Sequence, residues 1–104
     1  MKSVEPKPTT SDLHLTVHGR VQGVGFREAI VEVAVELRLE GWVRNRSHGT
    51  VEAVVRGSAQ ACERLLQWSH RGPPAARVDR VDTRPASAEE SAEVGKGFRR
   101  LQTR

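Results

Sequence analysis

The fold is decided by residues 19–27, which read Gly19-Arg20-Val21-Gln22-Gly23-Val24-Gly25-Phe26-Arg27. Before this stretch, the apolar residues Leu13, Leu15 and Val17 alternate with polar ones, which predicts a half-buried strand. After it, apolar residues recur at the spacing of a helix, namely Phe26, Ile30, Val33 and Leu37. The stretch is therefore the end of a strand, a glycine-containing loop and the N-terminus of a helix.

A loop of this composition is suited to hold an anion. Glycine adopts backbone angles that are closed to other residues, so several N–H groups can converge on one point near the positive end of the helix dipole. Arg27 follows in the first helical turn, and its planar guanidinium matches phosphate oxygens. The stretch lacks the Gly-Lys-Ser/Thr ending of a P-loop and the βαβ setting of a dinucleotide site. Considered alone, it fits either a phosphate cradle or a tight connection that lets the helix pack close to the strand.

Length and composition predict one globular domain. A chain of 104 residues has room for a single modest core. Residues 1–11 contain lysine and proline without an apolar period, so we expect a disordered leader before a domain over residues 12–104. Neither a membrane-length apolar stretch nor a signal segment is present. The single cysteine, Cys62, excludes an internal disulfide framework, and we expect it to be a small buried hydrophobe in a reducing cytoplasm.

The charge is moderately basic, with a net value of +4 and a pI near 10.2. Anionic partners are therefore favoured. Nucleic acid is not expected, because the arginines are dispersed and no predicted strand carries the paired aromatic residues of an RNA-binding sheet. Glu28, Glu32 and Glu36 form a helical row that is typical of a solvated face, and no metal site is expected there.

The remaining elements alternate between strands and helices. They are a helix over 26–37, hairpin strands over 41–45 and 50–57, a second helix from the N-cap Ser58 to about residue 70, an irregular strand over 77–84, an acidic loop over 85–96 and a closing strand over 98–101. This β-α-β-β-α-β order with an extra strand predicts an α+β ferredoxin-like sandwich, with two helices on one face of an antiparallel sheet. In that topology the loop and the end of the second strand meet at one edge. Arg27 and Asn45 would then lie together, although an asparagine at a strand end is by itself typical of a turn.

Two stretches together resemble the signatures of the acylphosphatase family. The first is residues 19–27, and the second is Gly41-Trp42-Val43-Arg44-Asn45 followed by Gly49, Val51 and Gly57. The resemblance covers about residues 13–101. It implies a ferredoxin-like enzyme that needs neither metal nor cofactor and hydrolyses the carboxyl-phosphate bond by direct attack of water on phosphorus.

The resemblance also implies roles for particular residues. Arg27 is similar in position to the family's phosphate-binding arginine, and Asn45 to its water-positioning asparagine. The backbone amides that would bind the phosphoryl group belong to the loop residues Gln22, Gly23, Val24, Gly25 and Phe26. One departure is Arg38, which stands where the family often has glycine; if it is left-handed, we expect strain of about 1 kcal/mol.

Alternative functions follow from the same residues. A non-catalytic module that binds phosphate esters, nucleic acid or protein would have no need of a water-positioning amide. Larger hydrogenase-maturation proteins begin with a similar domain but continue into zinc-binding cysteines that this chain lacks. A phosphorylated His18 would require a covalent route, whereas strand alternation turns His18 away from the apolar face. We therefore expect a cytoplasmic, monomeric enzyme acting on a small-molecule acyl phosphate, without nucleic acid or membrane, and the acyl group stays open.

Overall fold

The computed structural model describes residues 11–104. In chain order its elements are β1 (Ser11–Arg20), α1 (Phe26–Glu36), β2 (Glu40–Asn45), β3 (Val51–Gly57), α2 (Ala59–Ser69), β4 (Arg77–Pro85), α3 (Ala88–Ala92) and β5 (Phe98–Arg100). The predicted leader over residues 1–11 lies outside the described residues, except for Ser11, with which β1 begins.

The strands form one sheet in the order β4-β1-β3-β2-β5. The pairs β1–β3, β1–β4 and β2–β3 are antiparallel, as predicted. The short closing strand β5 runs parallel to β2, so the sheet is mixed. The predicted ferredoxin-like arrangement is confirmed.

One face of the sheet carries the apolar core beneath α1 and α2. Strand alternation turns Leu15 and Val17 of β1 toward this core, and both are fully buried. The other buried members come from every layer of the sandwich, namely Val21, Phe26, Ile30, Ala34, Leu39, Val43, Val51, Ala53, Val55, Cys62, Leu65 and Phe98. Cys62 is thus the buried hydrophobe that the sequence predicts, and burial raises the pKa of its thiol.

The ends of the two long helices follow from local chemistry. Ser58 caps α2 by accepting a hydrogen bond from the Ala61 backbone N–H at 3.1 Å. At the end of α1, Arg38 adopts φ 61°, so the left-handed conformation considered for this residue is the one that it has. Its N–H donates to Val35 O at 3.0 Å, and the next N–H, from Leu39, donates to Ala34 O at 2.9 Å. This pair of bonds is the Schellman motif, in which glycine is the usual residue at the left-handed position.

The predicted irregularity of the fourth strand is a bulge. The register between β1 and β4 shifts at His18/Gly19, where Asp79 has no partner on β1. The extra residue lets Val78 and Val81, three positions apart, both pack against the core. Gly19 is required beside this bulge, because a Cβ there would lie 2.2 Å from Arg77 O.

The second face of the sheet is covered by the connection between β4 and β5. The sequence predicts an acidic loop over residues 85–96, but residues 88–92 form the short helix α3. Its capping box pairs Ser87 with Glu90 in both directions. The Trp42 indole N–H donates to Glu90 O at 3.1 Å, and Trp42 is fully buried. The connection therefore covers the buried Trp42 on the second face.

Within the described part of the chain, no helix is both long enough and apolar enough to cross a membrane.

Candidate functional site

Three connections meet at one end of the sheet. Strands β1 and β2 are both antiparallel to β3, so they point the same way, and β4 starts where β1 ends. The β1–α1 loop (residues 21–25), the β2–β3 turn (46–50) and the α2–β4 connection (70–76) consequently share that end. The candidate residues lie in or directly beside the first two of these connections: Gln22 to Gly25 in the loop, Phe26 and Arg27 at the start of α1, and Asn45 at the end of β2.

The β1–α1 loop is shaped by glycines with positive φ. Gly23 has φ 76° and Gly25, the N-cap of α1, has φ 81°. Neither glycine has an atom within 4 Å of where its Cβ would lie, so the space beside them is open. Gly25 supplies no side-chain cap, which leaves N–H groups of the first turn available to an external acceptor. The loop therefore has the conformation that an anion cradle needs.

Arg27 lies in the first turn of α1, directly after the loop, and is half-buried. Among residues 11–104, no side chain forms a hydrogen bond or an ion pair with its guanidinium. An arginine whose donors are unused beside a helix N-terminus is available to bind an anion. The phosphate-binding role that the resemblance implies for Arg27 stays a prediction.

Asn45 is the last residue of β2 and pairs with Val51 of β3. Its side chain is half-buried beside the β2–β3 turn, and its backbone oxygen accepts a hydrogen bond from the Arg104 N–H at 3.1 Å. The turn itself is closed by the bond from Arg46 N to Thr50 O at 2.8 Å. Asn45 is therefore fixed by backbone pairing on both sides.

Gln22 joins the loop to this turn. Its side-chain amide donates to Arg46 O at 2.8 Å and to Thr50 O at 2.9 Å. Arg46 and Thr50 are the two residues whose backbone hydrogen bond closes the turn. The predicted meeting of the loop with the end of the second strand is confirmed by these bonds. The sequence predicts a role for the Gln22 backbone but gives no signal for this use of its side chain.

A second polar cluster lies on the sheet face under α3. His14 Nε2 is 2.7 Å from Glu52 Oε2 and 3.7 Å from Glu90 Oε2, and the three side-chain atoms lie within 4.8 Å of one another. Their spacing would suit a metal ion. However, arginines already occupy the carboxylates: Arg44 and Arg46 donate to Glu52, and Arg84 donates to both oxygens of Glu90.

The carboxylates in this cluster are held in their charged forms. The pKa of Glu90 is lowered to about 2, chiefly by the hydrogen bonds from Arg84. For Glu52, burial acts to raise the pKa, but hydrogen bonds from His14 and Arg44 outweigh it and the pKa is lowered. Since three guanidinium groups supply the positive charge, the cluster is an ion-pair network that holds α3 on the sheet. Sequence analysis missed it because its members are far apart along the chain.

Comparison with known proteins identifies the same family as the sequence motifs. The family described as Acylphosphatase matches residues 13–99. A curated acylphosphatase from Acidovorax sp. (strain JS42) is 49% identical over 90 residues, which span 86% of this chain and 89% of that protein. Another from Cupriavidus pinatubonensis is 53% identical over 72 residues, 69% of this chain and 80% of that protein. The solved structure of an acylphosphatase from Coxiella burnetii superposes with a TM-score of 0.80 at 40% identity, covering 89% of this chain and 94% of that one.

Proposed function

This chain belongs to the acylphosphatase family and hydrolyses acyl phosphates, and we propose that its site consists of Arg27, the loop amides of residues 22–26, and Asn45. The observation that carries the proposal is the pair of hydrogen bonds from Gln22 to the β2–β3 turn. These bonds attach the loop that would bind the phosphoryl group to the turn that directly follows Asn45. An arginine and an amide are thus presented at one end of the sheet.

The loop and Arg27 act on the phosphoryl group. In a loose transition state, negative charge is spread over the equatorial oxygens as the bond to the acyl oxygen lengthens. Backbone N–H groups at the start of α1 and the guanidinium of Arg27 neutralise that charge without having to reorganise. The carboxylate is already a good leaving group, so it needs little help from a general acid.

Asn45 acts on the water. A carboxamide is too weak a base to take a proton, but its oxygen can accept one hydrogen bond and align the water with phosphorus. The water oxygen forms a bond to phosphorus while the bond from phosphorus to the acyl oxygen breaks, and that electron pair leaves with the carboxylate. The water proton passes to a phosphoryl oxygen. No metal ion takes part in these steps.

The experiment is hydrolysis of benzoyl phosphate in the presence of EDTA, comparing the wild type with two variants. Arg27→Ala is expected to raise KM and to lower kcat by at least about a hundredfold, because it removes donors that bind ground state and transition state. Asn45→Ala is expected to lower kcat by about a hundredfold with KM nearly unchanged, because it affects only the attacking water.

The matched control is Arg64→Ala, which removes an exposed arginine from α2. It is expected to keep wild-type kcat and KM. Near-normal turnover by a folded Asn45→Ala protein would remove the role given to Asn45, and loss of wild-type activity in EDTA would contradict the metal-independent route.

We further propose a small-molecule acyl phosphate as substrate and a monomer in the cytoplasm as the working form. The monomer is supported by the edges of the sheet. The edge strand β4 is largely exposed, bears several charged side chains and is bulged, and the other edge, β5, has only 3 residues. The cytoplasm is supported by Cys62, a free and buried thiol.

A further inference from the structure

The loop over residues 21–25 has a second neighbour, on the side away from Asn45. In the sheet, β1 lies between β3 and β4, so the β2–β3 turn flanks the loop on one side and the α2–β4 connection flanks it on the other. Arg20, the last residue of β1, pairs with Arg77, the first residue of β4. The residues before Arg77 therefore lie next to the residues after Arg20.

Phe26 connects the loop to this second side. Its ring lies 5.4 Å from the ring of Trp68, centroid to centroid, with a tilt of 59°. Gly72 packs so closely on Phe26 that a Cβ would lie 2.7 Å from the ring. Phe26 is thus in direct contact with both the end of α2 and the α2–β4 connection.

A cleft of about 510 Å³ opens at this connection. It is lined by Trp68, Arg71, Gly72, Pro73, Pro74 and Ala76. The walls are an indole, two proline rings and a methyl group, and the one charged side chain is the exposed Arg71. An apolar cleft with a single cation suits a molecule that has an apolar body and a carboxylate.

This inference rests on the proposed function. The geometry of that reaction determines which part of the substrate faces the cleft. In-line displacement places the attacking and leaving oxygens on opposite sides of phosphorus. Asn45 aligns the water from the side of the β2–β3 turn. The acyl oxygen must then leave toward the opposite side, where the α2–β4 connection lies.

We propose that the cleft lined by Trp68, Arg71 and the prolines binds the acyl group of the substrate and selects acyl phosphates with an aromatic or similarly bulky apolar acyl group over acetyl phosphate. The ring of such a group contacts Trp68 and the prolines. When the bond from phosphorus to the acyl oxygen breaks, the electron pair stays on the acyl oxygen, and the carboxylate formed is attracted by Arg71. The cleft thereby contributes to substrate choice, while the loop and Arg27 serve every acyl phosphate alike.

The test compares kcat/KM for benzoyl phosphate and acetyl phosphate in each protein. The two acyl phosphates differ in intrinsic reactivity, but this difference cancels when the ratio in a variant is divided by the ratio in the wild type. Trp68→Ala is expected to reduce the preference for benzoyl over acetyl by about tenfold, the order expected when one apolar contact is lost. Inhibition by benzoate is expected to weaken by a similar factor, and inhibition by acetate to change less.

A second variant covers the case in which Trp68→Ala fails to fold, since Trp68 also packs on Phe26. Pro74→Trp adds bulk at an exposed position of the cleft and is expected to lower kcat/KM for benzoyl phosphate more than for acetyl phosphate. Arg71→Ala is expected to weaken inhibition by benzoate, whereas the control Arg64→Ala, an exposed arginine of α2 outside this cleft, changes neither substrate nor inhibitor.

The outcomes separate this inference from the proposed function. If Pro74→Trp and a folded Trp68→Ala both keep the wild-type ratio while Arg27→Ala loses both activities, the acyl group lies elsewhere and the proposed site stands. If Arg27→Ala and Asn45→Ala retain both activities, the proposed site fails, whatever the ratio does.

Discussion

At the scale of single residues, Gln22 determines how the two halves of the site are held together. One carboxamide serves two carbonyl oxygens of the β2–β3 turn, at 2.8 and 2.9 Å. Each bond of this kind contributes about 1 kcal/mol. The distance between the proposed phosphate-binding loop and Asn45 thus depends on a side chain that need not touch the substrate.

Gln22→Met, which keeps the length of the side chain but loses both bonds, is expected to lower kcat by about tenfold through misplacement of the water relative to phosphorus. The measurement is a double-mutant cycle with Asn45→Ala. If Asn45 aligns the water as proposed, Gln22→Met is expected to have almost no further effect on kcat in the Asn45→Ala background. An equal loss in both backgrounds would mean that Gln22 affects kcat independently of Asn45.

Arg38 is the residue at which local strain can be measured. Its φ of 61° completes the Schellman motif after α1, although a side chain disfavours this conformation. Arg38→Gly is expected to raise the free energy of unfolding by up to about 1 kcal/mol, because relief of strain exceeds the entropy that glycine adds to the unfolded chain.

Urea unfolding would measure this change. The control is Glu32→Gly, which is expected to lower the free energy of unfolding. Glu32 is exposed in the middle of α1, where glycine is expected to cost about 1 kcal/mol. A loss of stability in Arg38→Gly similar to that of the control would show that the left-handed residue is not strained.

At the scale of elements, α3 is held to the sheet by charge as well as by packing. Arg84 of β4 binds both oxygens of Glu90, at 2.9 and 2.7 Å, and Trp42 of β2 donates to the Glu90 backbone. His14 lies 3.7 Å from the same carboxylate. The attachment of α3 therefore depends on the ionisation of Glu90.

The pH dependence of stability follows from the pKa of Glu90, which is about 2 in the folded chain against an ordinary value of 4.5. Since the folded pKa is the lower one, the stabilisation is complete above about pH 5 and is lost as the pH falls toward 2. We expect a contribution of about 1 to 2 kcal/mol, because Arg84 is half exposed and solvent screens part of the attraction.

Glu90→Gln is accordingly expected to be less stable than the wild type at neutral pH and to approach it near pH 2. Urea unfolding at several pH values would show the two curves converging. The matched control is Glu89→Gln, an exposed residue of α3 that pairs with no arginine among residues 11–104, and its curve is expected to follow that of the wild type. Parallel curves for Glu90→Gln and the wild type would contradict the prediction.

The long elements could be predicted from sequence because each carries its own periodicity or caps. Ser58 marks the start of α2, and the spacing of Val78 and Val81 indicates the bulge in β4. The helix α3 was missed because it has no apolar period, although Ser87 and Glu90 have the spacing of a capping box. His14 could be assigned to the polar face of β1, but its burial depends on α3 crossing that face. Contacts between distant segments leave no local signal.

At the scale of the whole molecule, both edges of the sheet oppose pairing with a second chain. β4 is charged and bulged, and β5 is short. We expect the mass in solution, measured by light scattering over a range of concentrations, to be that of one chain of 11.5 kDa. A mass that doubles with concentration would contradict this expectation.

The strand order has one more consequence, for the time course of folding. β1 is synthesised before the other described strands, yet its partners are distant: Leu13 pairs with Val55 on one side and with Pro85 on the other. Closing such long loops costs chain entropy before any contact repays it, which slows folding. The edge of β1 that pairs with β4 must therefore stay without its partner until β4 has been synthesised, and the bulge beside Gly19 can form only after that.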